Sequence, residues 1–162
     1  MMLRGHLIVA TAAYISFKEF TTKGEVWSAL DLTILYEYLT IMLGVLIPDI
    51  DTPSSKIGRR VKYLAYPIYI IFGHRGITHS ALFVGAMYYT GHHYDITTVK
   101  YLAFGAALHL LGDYLTPAGI PLFYPYKKNY RAIIIADTNG LSETVLSFGI
   151  MFLSIIYVFD FL

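Results

Sequence analysis

Two long apolar runs constrain the fold of this 162-residue chain more than any other feature. One covers about residues 27 to 47 and the other about residues 141 to 162, and each has the ~20 residues that a helix needs to cross a bilayer. Shorter apolar runs lie at about residues 5 to 17, 77 to 91 and 99 to 115. Only 14% of the residues are charged, against 56% hydrophobic, which is far from the composition of a soluble domain. The sequence therefore predicts an integral membrane protein.

The predicted fold is all-α, a polytopic membrane helix bundle of about five transmembrane helices, forming a single domain over residues 1–162. Residues 63 to 72 are too few to cross and contain Pro67 and several tyrosines, so we expect a short interfacial or re-entrant helix there. The first run is short for a span and crosses only if the bilayer thins or the helix ends snorkel. A polar link after it contains Lys18, Glu19, Lys23 and Glu25.

The basic residues predict the orientation, because lysine and arginine favour cytoplasmic loops. We expect the N-terminus in the cytoplasm and the C-terminus outside. Only three basic residues then lie outside, namely Lys18, Lys23 and Lys100. The others lie inside: Arg4, Lys56, Arg59, Arg60, Lys62, Arg75, Lys127, Lys128 and Arg131.

A short polar motif, Gly73–Ser80, sets His74, Arg75 and His79 between a loop and an apolar run. Neutral histidine is the commonest metal ligand, and arginine binds planar anions. The motif therefore indicates a place where a metal meets an anionic substrate. Two histidines beside an apolar segment are also common as hydrogen-bonded structural residues, so the metal hypothesis needs partners elsewhere.

Partners occur in three other parts of the chain. His109 and Asp113 are four residues apart and share a helix face, where they could equally form a structural hydrogen bond. Acids beside a turn, as at Pro48–Asp51, could simply cap it. The predicted topology nevertheless puts all these groups at the cytoplasmic ends of their helices, and ionisable groups there are costly enough to indicate a shared function. The predicted metal ligands are His6, Asp49, Asp51, His74, His79, His109, Asp113 and Glu143.

The absence of cysteine leaves imidazole and carboxylate as the strong ligands, which suits zinc first, with manganese or iron as alternatives. The surplus of ligands allows one or two divalent ions. Such a site activates water and clamps the oxygens of a displacement at phosphorus. We expect Arg75 to hold the anion, helped by nearby cations, and Asp51 or Asp49 to bridge metals or act as a base. The basic cluster near Lys56 could instead only set the topology and touch anionic lipid.

The adjacent His92 and His93 are predicted to lie in a solvated loop on the opposite side of the membrane, where no other candidate ligand is expected. A net charge of +1 gives no indication of a nucleic-acid partner. The expected partners are membrane lipid and a small anionic or lipid substrate.

Four segments of the chain together resemble a known family, the LexA-regulated, membrane-bound metal-dependent hydrolases of bacterial and archaeal inner membranes. They are Gly5-His6, Leu46–Pro53, Phe72–Ser80 and His109–Pro121, with a looser match at Gly140–Glu143. The resemblance implies a prokaryotic cytoplasmic membrane, metal-dependent hydrolysis, and a distant likeness to zinc-dependent phospholipase C, an all-helical protein with several zinc ions.

Three functions fit these patterns. The first is a membrane-embedded hydrolase whose metal-activated water attacks a phosphoester of a lipid or another membrane-associated substrate at the cytoplasmic face. The second is a cation transporter or proton relay that uses the same polar layer, and the third is a metal-stapled scaffold. A conduit would place polar residues through the depth of the bundle, whereas here the motifs gather at one end.

Overall fold

The computed structural model describes residues 1–23, 31–126, 128–133 and 137–160, the side chain of Asp160 excepted. In these ranges the fold is all-α, as the sequence predicts, with six α-helices and a single isolated β-bridge, Ile120 to Tyr130. The helices are α1 (Leu3–Thr22), α2 (Leu32–Leu46), α3 (Lys62–Phe72), α4 (Ala81–His93), α5 (Thr97–Tyr114) and α6 (Leu141–Asp160). Two short 3₁₀ turns, Pro48–Asp51 and Ile77–His79, precede α3 and α4.

Two helical stretches in the described ranges are long and apolar enough to cross a membrane, Leu32–Asp51 and Leu141–Phe159. The first of these stretches was predicted to begin at Trp27, which lies outside the described residues. Glu25 and Lys127, which were predicted to lie in loops, are outside them as well. The segment predicted to be interfacial forms α3, which has 11 residues with Pro67 inside and is too short to cross.

Helix α1 has 20 residues and is longer than its apolar run. The prediction of a polar link was wrong for Lys18 and Glu19, which both lie in α1. Lys18 stays helical because its ammonium pairs with the carboxylate of Glu37 in α2, with 2.7 Å between Nζ and Oε2, and Glu19 is buried. Tertiary contacts thus extend the helix beyond the point where the apolar pattern ends.

The prediction of a loop at His92 and His93 was also wrong, because both residues lie in the last turn of α4. Gly91 does not end the helix. It lies against α5, where an added Cβ would come within 2.9 Å of the backbone nitrogen of Lys100. A glycine inside a helix therefore marks a close helix contact here rather than a terminus.

Helix α5 is the centre of the bundle and packs against α1, α2 and α4, while α6 packs against α1. The closest contact joins α2 and α5. An added Cβ on Gly44 would lie 2.3 Å from the carbonyl oxygen of Leu102, and one on Gly105 would lie 2.1 Å from that of Ile41. Small residues thus let the two backbones touch, as is typical of helices packed in a membrane.

Candidate metal centre

Five of the eight predicted ligands meet at one end of the bundle. They form two overlapping groups whose potential ligand atoms lie within 4.8 Å of one another: His6, His109 and Asp113, and Asp49, His79 and His109. Asp49 has 28% of its side chain exposed, whereas the other four side chains are almost fully buried. The cluster therefore has one open side, at Asp49.

Helices α1 and α5 bring three of these residues together. His109 and Asp113 are one turn apart near the end of α5, and His6 lies in the first turns of α1. The imidazole of His6 stacks on that of His109 with 3.9 Å between ring centroids. Gly112 makes this possible, because an added Cβ there would lie 2.6 Å from Nδ1 of His6.

The two 3₁₀ turns supply Asp49 and His79. Pro48 begins the first turn and carries Asp49 next to it. His79 ends the second turn, directly before Ser80, whose hydroxyl accepts a hydrogen bond from the Phe83 N–H (3.3 Å) and caps α4. The beginning of α4 therefore fixes the backbone position of His79.

The imidazole of His109 is held through one nitrogen and leaves the other for a ligand. Its Nδ1–H donates to the carbonyl oxygen of Val45, 2.7 Å away in the last turn of α2. Its Nε2 lies 3.8 Å from a carboxylate oxygen of Asp49 and 3.8 Å from one of Asp113. This Nε2 is buried and has no hydrogen-bond partner among the residues that the structure describes.

His79 has the same arrangement. Its Nδ1–H donates to Oδ2 of Asp51 at 3.0 Å, because a carboxylate oxygen can only accept. Its Nε2 lies 3.6 Å from Oδ2 of Asp113 and is also buried, again without a hydrogen-bond partner in the described ranges. Two ring nitrogens and two carboxylates thus face one another, with each imidazole oriented from behind.

A divalent cation fits these residues. A buried polar nitrogen without a partner is unfavourable, whereas a metal ion would satisfy the Nε2 atoms of His79 and His109 together. Metal-binding histidines usually donate their other N–H to a carboxylate or a backbone carbonyl, as both do here. The separations of 3.6 to 3.8 Å are close to the roughly 3.3 Å between two ligands of one tetrahedral zinc ion.

Asp51 was predicted both as a ligand and as a catalytic residue, but the structure places it behind His79. It belongs to neither ligand group and is fully buried. The Thr78 hydroxyl donates to Oδ2 (2.6 Å) and the Thr52 hydroxyl to Oδ1 (2.8 Å). Protein donors thus contact both oxygens, and Asp51 orients the imidazole of His79.

His74 and Glu143 also lie outside both ligand groups. The imidazole of His74 is 52% exposed, with Nδ1 2.6 Å from the Thr52 hydroxyl. The carboxylate of Glu143 accepts hydrogen bonds from the backbone N–H groups of Met2 and Asn139, both at 2.7 Å. Glu143 therefore joins α6 to the beginning of α1.

Arg75 was expected to bind an anionic substrate, but its guanidinium has protein partners in the structure. One amino group lies 2.9 Å from Oδ2 of Asp113, and another donates to the carbonyl oxygen of Gly119 at 3.1 Å. Asp113 also contacts the backbone amino group of Met1. Arg75 thus holds the Asp113 carboxylate in place and offsets its charge.

The sequence did not single out Thr78, Thr52 or the Val45 carbonyl, which position the cluster from behind. For Thr78, the sequence offered only its position directly before His79 as an indication of a role. Nothing in the sequence pattern points to a particular backbone carbonyl, since every residue has one.

Comparisons with known proteins identify the family of this chain. Residues 1–161 match the family described as YdjM inner membrane protein. The chain belongs to this family, which confirms the predicted membrane protein and locates it in the inner membrane. LexA regulation and metal-dependent hydrolysis are not part of that description and stay predictions.

Individual relatives agree with the family. The chain is 34% identical over 152 residues to "Inner membrane protein YdjM" of Escherichia coli (strain K12), which covers 86% of this chain and 74% of the relative. It is 35% identical over 119 residues to "Uncharacterized protein YvsG" of Bacillus subtilis (strain 168), covering 72% and 74%. No solved structure matches the chain.

Proposed function

We propose that the protein is a membrane-embedded, metal-dependent hydrolase that cleaves a phosphoester at the cytoplasmic face of the inner membrane. The observation that carries the proposal is the pair of buried Nε2 atoms, on His79 and His109, which face two carboxylates and have no hydrogen-bond partner in the described part of the chain. A structural cluster would pair these nitrogens, since unpaired buried polar atoms are rare in native proteins.

The residues that would hold the ion are His79, His109 and Asp113, which leaves a position for water beside the carboxylate of Asp49. His6 is available for a second ion beside His109. Zinc is the first choice, and manganese or iron suits the same ligands. A divalent ion bound here would lower the pKa of water toward neutrality and polarise a phosphoryl oxygen.

The protein residues divide the remaining work. Asp51 and Val45 hold the two imidazoles in the tautomer that leaves Nε2 free. Arg75 fixes the carboxylate of Asp113. Asp49 is the exposed member of the cluster, so substrate and water reach the site past its carboxylate, and we assign the role of proton acceptor to Asp49 rather than to Asp51.

The proposal includes a five-span topology in which α1, α2, α4, α5 and α6 cross and α3 lies at the interface, with the N-terminus inside. The cluster supports it, because the helices would then alternate in direction with every ligand at the cytoplasmic end. Helix α4 has only 13 residues, so the bilayer would have to thin around it. Reporter fusions after residues 57 and 95 should lie on opposite sides, and a cytoplasmic reporter after residue 95 would exclude this topology.

The direct test is metal content followed by turnover. Purified protein should contain a stoichiometric divalent metal and should hydrolyse a phosphomonoester or a phosphodiester in a screen with zinc, manganese and iron. His109→Ala should lose both properties, whereas His92→Ala should keep both. A metal-loaded wild type that hydrolyses none of the esters would refute the hydrolase.

The second candidate is a cation transporter or proton relay, favoured by a second charged pair, Lys18 and Glu37, which lies further along α1 and α2 from the ligand cluster. An apolar core that includes Ala10, Ile41 and Leu108 packs between this pair and the ligand cluster. Cation flux into liposomes by the wild-type protein, without ester turnover, would favour the conduit.

A further inference from the structure

A cavity of about 490 Å³ opens beside Asp49, the exposed member of the ligand cluster. Its walls include three cations, Arg4, Lys56 and Arg59. Within the described ranges none of the three forms an ion pair, whereas Lys18, Arg75 and Lys100 each pair with a carboxylate. Three cations without a carboxylate partner give this pocket a positive potential that attracts an anionic group.

A second cavity, of about 460 Å³, adjoins the cationic pocket and lies between α1 and α2. The two cavities share Leu3, Lys56 and Ile57 in their walls. On α2, Leu39 and Leu43 are about half exposed, so the groove opens on the outer surface of the bundle. The other lining residues are Leu7, Met42, Leu46 and Arg60.

The groove has the position and length of a site for part of a hydrocarbon tail. From Leu46 to Leu39 it follows α2 for roughly 10 Å at 1.5 Å per residue. The hydrocarbon core of a bilayer is ~30 Å thick and each leaflet is about half of that, so a tail with roughly two thirds of its length in this groove would continue into lipid.

We propose that the two cavities bind a membrane amphiphile with an anionic phosphate headgroup and a hydrocarbon tail. The headgroup lies among Arg4, Lys56 and Arg59, beside Asp49, and the tail lies in the groove between α1 and α2. This inference rests on the proposed function and names the substrate class of that site. A soluble phosphate would use only the cationic pocket, whereas an amphiphile uses both cavities.

A larger apolar groove, of about 730 Å³, lies between α4 and α5 but lacks a headgroup site of this kind. The cation in its wall, Lys100, is at the far end of α5 from His109 and is paired with Asp95 at 2.8 Å. Charge complementarity therefore favours the groove between α1 and α2.

The headgroup is tested by lipid retention. The full-length protein is placed in phosphatidylcholine nanodiscs that contain phosphatidic acid. Native mass spectrometry releases the protein from the nanodisc and identifies the lipid that stays bound to it. The wild type should retain phosphatidic acid in preference to phosphatidylcholine. Arg4→Gln, Lys56→Gln and Arg59→Gln should each lower that preference roughly fivefold, the factor for about 1 kcal/mol per cation. Lys62→Gln, an exposed cation outside both cavities, is the matched control and should keep it.

The tail is tested by filling each groove. Leu43→Trp should lower phosphatidic acid retention several-fold, whereas Leu153→Trp, at a 65% exposed position of α6, should not. Gly85→Leu fills the groove between α4 and α5, since an added Cβ there meets no atom within 4 Å, and it should also leave retention unchanged. A loss with Gly85→Leu but not with Leu43→Trp would overturn the assignment of the groove.

Further outcomes would overturn the inference as a whole. Displacement of the lipid by glycerol phosphate would show a site for soluble phosphate, and equal losses in Lys62→Gln and Arg59→Gln would show general attraction to an anionic surface. Retention without turnover of any ester would refute the hydrolase and leave the lipid site standing. Turnover of water-soluble phosphoesters without lipid preference would do the opposite.

Discussion

Two charged clusters lie in this bundle, and they differ in how completely their polar atoms are paired. In one cluster, Glu37 accepts hydrogen bonds from Lys18 (2.7 Å) and from the Tyr101 hydroxyl (2.8 Å), and the Tyr14 hydroxyl donates to the carbonyl oxygen of Ile34 (3.1 Å). In the ligand cluster, the imidazoles of His6, His79 and His109 each have one ring nitrogen without a hydrogen-bond partner among the described residues.

The difference separates a structural network from a binding site. A fully paired buried network makes a helix contact specific and needs nothing more, whereas an incomplete network is costly until a ligand completes it. Both clusters contain ionisable residues in apolar surroundings, and composition alone does not tell them apart. The two clusters are distinguished by whether each buried polar atom has a hydrogen-bond partner.

The strongest test of the comparison is to remove one ligand. His109→Ala deletes the residue that both ligand groups share. Metal affinity should therefore fall by more than roughly 10 to 100-fold, the loss that is typical when a residue that hydrogen-bonds to a metal ligand is removed. Metal content by mass spectrometry and a competition titration would measure it. Glu37→Ala is the matched change in the paired cluster, and a comparable loss of metal there would contradict the distinction.

A smaller effect is expected from Asp51→Asn. The amide leaves the shape intact but removes the charge that orients His79, so metal affinity should fall roughly 10 to 100-fold without loss of the fold. A titration with zinc against a chelator would measure the change. Complete loss of metal would show that Asp51 is itself a ligand, in contradiction to its position behind His79.

The paired cluster should respond in stability instead of metal binding. Glu37→Ala leaves Lys18 and Tyr101 without their acceptor, which should cost roughly 1 to 3 kcal/mol. At roughly 2 to 4 °C per kcal/mol, the thermal midpoint in detergent should fall by several degrees. An unchanged midpoint would mean that this network does not stabilise the bundle.

The smallest effect is expected at the other end of α4. His92 stacks against Tyr88 with 6.1 Å between ring centroids and belongs to neither ligand group. His92→Ala should leave metal content and the thermal midpoint unchanged within error. A fall in metal content would reveal a further site away from the cluster.

Spacing and chain order predicted much of the fold and of the cluster. The four-residue step from His109 to Asp113 places both on one helix face, and alternating helix directions bring His6, Asp49 and His79 to the same end. The roles of Asp49 and Asp51 could not be separated in this way. They depend on whether Thr78 and His79 reach one carboxylate or the other, which only tertiary packing decides.

Helix lengths show the same limit. The apolar pattern ended α1 before Lys18, because a charged pair lowers the hydropathy of the run. The helix continues because Glu37 on α2 supplies the partner. Where two charged residues on different helices compensate each other, a pattern read along one segment underestimates the length of that helix.

The proline at the end of α2 has a chemical consequence for a different helix. In a longer α2 the N–H of Asp49 would bond to the Val45 carbonyl, but Pro48 begins a 3₁₀ turn and that carbonyl instead accepts the Nδ1–H of His109. The same turn carries Asp49 to the open side of the cluster. One break in backbone regularity thus decides which nitrogen of His109 carries its proton, so the protonation pattern of the site is encoded in main-chain geometry 64 residues away.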